Sequence, residues 1–276
     1  MTAFSVSAGQ GWRIGIDATG RAPLLQDLEA RLATGRGFTV ATINLDHVEK
    51  LRKSERFRRA YAAQTHGVAD GTPIVWVSRL AGAPVELIPG CELVEPMAEA
   101  AARRGATVAL LGGTQASLDR AAERLSARLP GLKIVAKIAP PMGFDPYGPA
   151  ADEALAELRE SQAQLVFLAL GAPKQEIFAA RAQRSLPNVG FLSIGAGIDF
   201  ISGAQKRAPR WFRQRAMEWL WRAASDPRRL AKRYARCAML LPGLALDALM
   251  RRGEGFPPGG AGRRPMAEAE RLQEAA

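Results

Sequence analysis

The chain is predicted to be an α/β protein with a mainly parallel sheet flanked by helices and a helical C-terminal appendage. Three observations lead to this class. Strand-like apolar runs alternate with amphipathic segments through residues 37–195. Several of these runs end at glycine and pass directly into a helix start, as happens after Leu165–Leu170. Beyond Pro209 the pattern is helical only.

Length and composition restrict the class further. The 276 residues suffice for one large core, and 47% hydrophobic with 24% charged residues is typical of a folded soluble protein. No apolar run approaches the roughly 20 residues of a membrane-spanning helix. Residues 1–11 lack the pattern of a secretory signal. Only Cys91 and Cys237 are present, which favours a reducing compartment without disulfides.

Positive charge is concentrated at one end of the chain. Residues 204–252 hold 13 Lys or Arg against three acidic residues, which accounts for ten of the net charge of +11. A basic region confined to one end predicts a local anionic partner, such as lipid head groups, a diphosphate or nucleic acid.

The first elements are short and apolar. A strand is expected at Trp12–Ile16, a helix at Pro23–Ala33 and a buried strand at Phe38–Ile43. One helix is then expected from about Asp46, with an apolar side that extends as far as Tyr61. These segments are predicted to form core.

Polar residues lie at the end of the strand Phe38–Ile43 and after the brief apolar run Val68-Ala69. Thr42 and Asn44, at the end of the strand that contains Ile43, either hold a sugar or base or cap the next helix. Asp70 is either a turn residue before Gly71 or, if it faces the same crevice as the later glycine turns, a general base. Neither of the two histidines has a partner spacing that indicates a metal site or a triad, and no metal is predicted.

Two glycines follow the strand Thr107–Leu111. Gly112 and Gly113 leave the backbone open to a phosphate or ribose at the start of the next helix, which runs to Leu129. The full glycine fingerprint for dinucleotides is absent, so no nicotinamide cofactor is expected.

Further elements complete the alternation. A helix is expected at Val94–Arg104, a strand at Leu132–Ile138 and a helix at Asp152–Glu160. The stiff loop Pro140–Phe144 either covers a ligand or joins two elements.

The turns after the buried runs Leu165–Leu170 and Val189–Ile194 are predicted to lie on one edge of the sheet, where open parallel sheets bind ligands. Pro173 suits the first turn of a helix because its missing N–H has no partner there. An ordinary strand-to-helix loop with solvated charges is the alternative. The residues expected at the mouth of the site are Gly171, Pro173, Lys174, Gln175, Glu176 and Gly195.

The basic end is predicted to contain a helix at Phe212–Ala223 and a second helix from Asp226, with arginines suited to bidentate phosphate binding. Cys237–Met250 is apolar and interrupted at Pro242, so it either lies in the lipid interface plane or packs as a helical pair on the main domain. The expected organisation is an α/β domain at 1–203, a basic membrane-associating appendage at 204–252 and a disordered tail at 253–276.

Residues 37–234 resemble the WecG/TagA/CpsF family of bacterial glycosyltransferases. The order of the matching pieces makes the resemblance specific. They are Thr42-Ile43-Asn44, Asp70-Gly71, Leu111-Gly112-Gly113, Gly171 to Glu176, Gly195 to Phe200, Arg207-Ala208-Pro209, Glu218 to Arg222 and Pro227 to Tyr234.

The resemblance implies a Rossmann-like core and an inverting transferase that needs neither metal nor cofactor. Such an enzyme moves a sugar from a UDP donor to a polyprenyl-diphosphate-linked saccharide at the cytoplasmic face of the membrane, with an anionic membrane surface as a partner and no nucleic acid. By this likeness Asp70 is the general base, beside Thr42 and Asn44. Donor binding falls to Gly112, Gly113, Gly171, Pro173, Lys174, Gln175, Glu176 and Gly195, and diphosphate binding to Arg207, Arg222, Arg229 and Arg233.

Two positions depart from the family pattern. Many relatives have an arginine where this chain has Leu87 and an aspartate where it has Glu92. The loop Pro140–Phe144 resembles the corresponding loop in the exopolysaccharide branch of the family. This resemblance favours a hexose or its uronic acid over N-acetylmannosamine as the transferred sugar. A non-catalytic nucleotide-sugar or nucleic-acid binding module and a nicotinamide-dependent oxidoreductase are the competing hypotheses, and homo-oligomerisation stays open.

Overall fold

A computed structural model describes residues 3–205, 208–209, 211–212, 221 and 227–252, with the backbone alone for 227–232. The strands, in chain order, are β1 (Phe4–Ser7), β2 (Arg13–Ile16), β3 (Phe38–Ile43), β4 (His66–Ala69), β5 (Thr107–Leu111), β6 (Lys133–Ile138), β7 (Leu165–Leu168) and β8 (Gly190–Ser193). The helices are α1 (Arg21–Thr34), α2 (Leu45–Lys53), α3 (Glu55–Ala62), α4 (Thr72–Leu80), α5 (Val94–Arg104), α6 (Gln115–Arg128), α7 (Pro149–Glu160), α8 (Lys174–Ser185), α9 (Gly197–Ser202), α10 (Pro227–Ala238) and α11 (Leu241–Met250).

Six strands form one parallel sheet in the order β4-β3-β8-β7-β5-β6. The central strands β3, β7 and β8 are buried on both faces, which explains why their sequences are apolar runs rather than alternating patterns. The predicted α/β class with a Rossmann-like parallel sheet is confirmed.

Helices cover both faces of the sheet. Alternate residues of β3 point to opposite sides, so Val40 packs in a cluster with α1, α5 and α6, whereas Ile43 packs with α2, α3 and α4. Helices α7 and α8 cover the far half of the second face around Phe178 and Phe191.

The hairpin of β1 and β2 protects the β4 edge of the sheet. The N–H of Asp17 donates to the carbonyl of Gly67 at 2.9 Å, and the N–H of Gly67 donates to the Asp17 carboxylate at 2.9 Å. A Cβ added at Gly67 would lie 2.3 Å from the carbonyl oxygen of Gly15, so this close approach needs glycine. The sequence predicted β2 but not β1.

One predicted helix is two helices in the structure. The segment expected to run from about Asp46 as far as Tyr61 breaks at Ser54, whose backbone is extended at φ −127°. The Ser54 hydroxyl accepts a hydrogen bond from the N–H of Phe57 at 3.2 Å and starts α3. The chain therefore turns between the two helices while keeping its apolar side on the core.

Helices α10 and α11 pack on the α/β body. Cys237, Leu244 and Ala248 are buried in the same cluster as Ile14. The guanidinium of Arg13 lies 3.0 Å from the carboxylate of Asp247. The predicted helix at 212–223 and the tail at 253–276 lie largely or wholly outside the described residues, and no described helix is long and apolar enough to cross a membrane.

Candidate active site

The residues after five neighbouring strands meet at the carboxyl edge of the sheet. In spatial order these are Asp70 after β4, Asn44 after β3, Gly195 after β8, Gly171 after β7 and Gly112 after β5. This is the edge outside which open parallel sheets bind their ligands. The edge therefore brings together the groups that the sequence singled out.

Asp70 lies beside Asn44. The N–H of Asp70 donates to the carbonyl of Ile43 at 2.8 Å, and the Asp70 side chain is partly exposed. A Cβ added at Gly71 would lie 3.1 Å from the Cβ of Asn44. Asn44 is also the cap of α2, because its Oδ1 accepts from the N–H of His47 at 3.0 Å. The capping alternative for Asn44 is thus confirmed.

Thr42 lies beneath the edge rather than on it. Its side chain is 3% exposed, and its Cγ2 would be 2.9 Å from a Cβ added at Gly90. The Thr42 carbonyl accepts the hydroxyl hydrogen of Tyr61. Thr42 therefore supports the strand end from below, in register with Val68, two residues before Asp70.

A buried tyrosine and histidine support this corner. The Tyr61 hydroxyl donates to Thr42 and lies 2.6 Å from Nδ1 of His47, so Nδ1 carries a hydrogen and donates to the tyrosine oxygen. Burial and the charge of Lys50 lower the pKa of His47 to about 4, which keeps it neutral. Burial, with the charges of Glu176 and Asp70, raises the pKa of Tyr61. Tyr61 is therefore within electrostatic reach of both carboxylates.

Gln175 and Glu176 lie below the mouth of the site, which differs from the expectation that they stand in it. They are 2% and 0% exposed because α8 packs against α3 and β8. Gln175 Oε1 accepts from the N–H of Gly195 at 3.3 Å, and Gln175 Nε2 donates to Glu176 Oε1 at 2.8 Å. The pair thus supports the turn at Gly195.

Glu176 has an unusual electrostatic environment. Burial raises the pKa of its carboxyl group to about 7, although the hydrogen bond from Gln175 and the charge of Lys50 act in the opposite direction. Its Oε2 is buried without a hydrogen-bond partner among the described residues.

The glycine turns are open at the surface. Gly171 and Gly195 have positive φ values of 70° and 54°, and no heavy atom lies within 4 Å of a Cβ added at either position. A ligand can therefore approach the backbone there. Gly112 differs, since its added Cβ would be 2.5 Å from the carbonyl of Ala169, so this glycine is required by packing. Gly113 lies beyond it, near Asp199.

The residues at the start of α8 close this part of the edge. Pro173 precedes the first residue of the helix, and Pro173 and Lys174 are both partly buried. The N–H of Gln175 donates to the carbonyl of Gly171 at 3.1 Å, which fixes the turn between β7 and α8.

A chain of charged groups connects the appendage to the turn between β7 and α8. Lys50 Nζ donates to the carbonyl of Ala172 at 3.0 Å and lies 2.8 Å from the carboxylate of Asp46. Arg233 Nε of α10 lies 3.8 Å from that same carboxylate. The pKa of Asp46 lies below its usual value. Burial acts to raise it, but the positive charges of Lys50 and Arg233 outweigh that effect. The appendage therefore reaches the carboxyl edge.

Lys50 was missed by the sequence analysis. Its spacing from Asp46 indicates an ordinary i, i+4 ion pair, and nothing in the sequence connects it with Ala172, 122 residues away. Of the four predicted diphosphate-binding arginines, Arg233 is described at this edge. Arg207, Arg222 and the side chain of Arg229 lie outside the described residues.

The two departures from the family pattern have structural roles. Glu92 Oε2 lies 2.5 Å from the guanidinium of Arg21 at the start of α1. Leu87 is partly buried against the core cluster that contains Ile43. No group of three metal-binding side chains of the His, Cys, Asp or Glu type is found among the described residues.

Comparison with known proteins gives the family. The profile of the Glycosyl transferase WecG/TagA/CpsF family matches residues 10–254. The chain belongs to this glycosyltransferase family. It is also similar to the N-acetylglucosaminyldiphosphoundecaprenol N-acetyl-beta-D-mannosaminyltransferase of Bacillus spizizenii, with 26% identity over 200 residues, which cover 72% of this chain and 75% of the relative.

The geometry suits group transfer by this glycosyltransferase. A partly exposed carboxylate stands at one end of the edge, and open backbone turns and a guanidinium occupy other parts of it. A carboxylate can accept a hydroxyl proton, while N–H groups and guanidinium groups stabilise a departing phosphate.

Proposed function

We propose that this glycosyltransferase moves a sugar, with inversion, from a UDP-sugar to a polyprenyl-diphosphate-linked N-acetylglucosamine acceptor, without a metal. The acceptor class follows the printed name of the Bacillus relative. The strongest support for the proposal is that Asp70, the open turns at Gly171 and Gly195, and Arg233 all lie at the same edge of the sheet.

In the proposed reaction, Asp70 removes the proton from the acceptor hydroxyl. The hydroxyl oxygen then forms a bond to the anomeric carbon as the bond from that carbon to UDP breaks. A sugar hydroxyl is a poor nucleophile, so a positioned base typically contributes about 10²–10⁴-fold to the rate. Asn44, fixed by its cap to α2, orients the acceptor beside Asp70.

Negative charge then develops on UDP. Backbone N–H groups at Gly113 and Gly171, with Lys174, are the proposed donor contacts. Gly195 leaves open space for the donor, and Gln175 acts by holding the Gly195 N–H. Arg233, with Arg207, Arg222 and Arg229, is proposed to supply the positive charge that a metal supplies elsewhere.

The reaction is proposed to occur at the inner face of the cell membrane, where the protein is held peripherally. The net charge of +11, most of it after residue 203, suits an anionic surface. This region is the proposed membrane-associating appendage.

The test is a transfer assay with a panel of UDP-sugars and a polyprenyl-diphosphate-linked N-acetylglucosamine acceptor. We expect UDP release and an extended lipid-linked product only when both substrates are present. The panel includes UDP-N-acetylmannosamine, UDP-glucose and UDP-glucuronic acid, since the relative's name and the loop Pro140–Phe144 favour different sugars. Absence of UDP affinity together with salt-sensitive binding to duplex DNA would reject the proposal in favour of a nucleic-acid binding module.

A further inference from the structure

Exposed large hydrophobic side chains are concentrated in one part of the described chain. Isolated exposed apolar residues are ordinary, whereas a contiguous group marks an interaction surface. Six of the ten such side chains among the described residues lie on α4 or between residues 239 and 250. They are Trp76, Leu80, Met239, Leu246, Leu249 and Met250.

The spacing of these side chains forms an outward stripe on each helix. Trp76 and Leu80 are one turn apart on α4 and are 51% and 40% exposed. Leu246, Leu249 and Met250 share the same i, i+3, i+4 relation on α11 and are 49–69% exposed. The opposite side of each helix is buried in the core. Neither stripe is therefore needed for packing within the described chain.

The two helices that carry these stripes adjoin. Helix α4 contacts α11, and Cγ of Arg252 lies 3.6 Å from the position of a Cβ added at Gly82. The carboxyl ends of the two helices are therefore side by side. Exposed Arg79 and Arg252 stand at these ends, which places positive charge at one end of the apolar stripes.

We propose that these outer faces of α4 and α11, named the α4–α11 face, bind the surface of an anionic lipid bilayer together. The new element is α4, which lies outside the basic appendage and begins two residues after Asp70. Apolar residues bordered by arginine suit the boundary between head groups and acyl chains, and tryptophan prefers that depth.

The role of this face in sugar transfer rests on the proposed function. Two non-helical steps lead from Asp70 to Thr72 and four helical steps from there to Trp76, so the two Cα atoms are at most roughly 13 Å apart. A bilayer that takes up Trp76 would therefore hold the base within the length of about two sugars of the head-group layer. The face thus limits the acceptor to a saccharide whose diphosphate lies in the membrane surface.

The first test measures binding of the full-length protein to vesicles by co-sedimentation. We expect tight binding to vesicles with phosphatidylglycerol and weak binding to pure phosphatidylcholine. Trp76→Ser with Leu80→Ser should weaken binding to the anionic vesicles by about tenfold or more, since two large apolar side chains are lost from the contact. Leu246→Ser with Leu249→Ser should do the same. Met142→Ser, at a fully exposed apolar position elsewhere, is the matched control and should bind as wild type.

The second test separates this inference from the proposed function. The α4 double variant should keep its turnover with a short-chain, water-soluble acceptor and lose most of its turnover with a long-chain acceptor in vesicles. If wild type transfers to neither acceptor, the proposed function fails while vesicle binding is still measured. Wild-type vesicle affinity in the α4 variant would overturn the inference. The inference would also be overturned if the α4 variant changed from dimer to monomer without a change in vesicle affinity. A second copy of the chain, and not a bilayer, would then cover the α4–α11 face.

Discussion

Glu176 is a carboxyl group that the fold encloses rather than displays. Its Oε1 orients Gln175, which in turn holds the N–H of Gly195, while Oε2 is buried without a hydrogen-bond partner among the described residues. An unpaired buried carboxylate is costly, so the neutral form is favoured. The group therefore contributes to the geometry of the edge and imposes a pH dependence on folding.

The free energy of unfolding should decrease as the pH rises, because of Glu176. Its folded pKa of about 7 lies above the ordinary 4.5, so the folded state binds more protons between these values than the unfolded state does. The contribution of the protonated Glu176 carboxyl group to the free energy of unfolding is complete below about pH 4.5 and is lost as the pH rises to about 7. Glu176→Gln keeps an acceptor for Gln175 and removes this dependence. Relative to wild type, the variant should gain on the order of 1–3 kcal/mol in unfolding free energy between pH 5 and pH 8.

Urea denaturation at a series of pH values measures this difference. Glu157→Gln, at an exposed position of α7, is the matched control, and only a pH dependence beyond that of the control is assigned to Glu176. A Glu176→Gln variant whose pH dependence does not differ from that of the control would contradict the assigned environment.

Individual site residues were predictable to different degrees. The glycines were found because a glycine directly after a buried strand must lie at the sheet edge. Asp70 was open between a turn residue and a general base, and the family resemblance favoured the base. The burial of Gln175 and Glu176 was not predictable, because Lys174-Gln175-Glu176 has the composition of an exposed first helical turn. Their exposure is decided by packing against α3, which is distant in sequence.

At the scale of elements, α2 connects three parts of the site. Its start is capped by Asn44, its Asp46 lies near Arg233 of α10, and its Lys50 holds the carbonyl of Ala172. A shift of this helix would thus change the corner at Asn44, the appendage and the turn at Ala172 together.

Lys50→Met should raise the KM for the UDP-sugar by roughly fivefold, with a smaller effect on kcat. The turn at Ala172 loses a charged hydrogen bond worth about 1 kcal/mol at a half-exposed position. Steady-state kinetics with saturating acceptor measures this. Lys53→Met is the matched control, since Lys53 pairs with Glu49 on the same helix. Equal KM values for both variants would show that the contact with Ala172 has no effect on donor binding.

Most elements of the sheet were predictable because buried parallel strands are apolar runs bounded by glycine and proline. The exceptions have local causes. β1 and β4 are strands of four residues, too short to be assigned from the sequence alone, and the pairing of β1 with β2 depends on the tertiary contact of the hairpin with β4. The helical spacing of apolar residues continues almost unchanged across the break at Ser54. The break is therefore marked only by the Ser54 hydroxyl that caps α3.

At the scale of the whole molecule, the described end of the appendage is part of the core. Leu244 of α11 is 1% exposed and lies in the same apolar cluster as Ile14 and Phe57. A truncation from residue 204 should release the protein from anionic vesicles and abolish transfer, but it also removes this packing. Point variants therefore distinguish the roles better.

Leu244→Ala should lower the unfolding free energy by about 2–5 kcal/mol because it leaves a cavity under α11. Leu246→Ala, two residues away and 58% exposed, should change it by less than about 0.5 kcal/mol. Thermal and urea denaturation measure both. Equal small effects would show that α11 does not contribute to the stability of the α/β body.

The central claim is that Asp70 is the base at an edge shared with the donor turns and the arginines of the appendage. Its most direct test is single-turnover transfer by Asp70→Asn at saturating donor and acceptor, with circular dichroism to confirm folding and Asp145→Asn, at an exposed loop position, as the control. We predict a rate lowered by about 10²–10⁴-fold for Asp70→Asn, with donor affinity unchanged. A folded Asp70→Asn variant that transfers sugar at the wild-type rate would contradict the account.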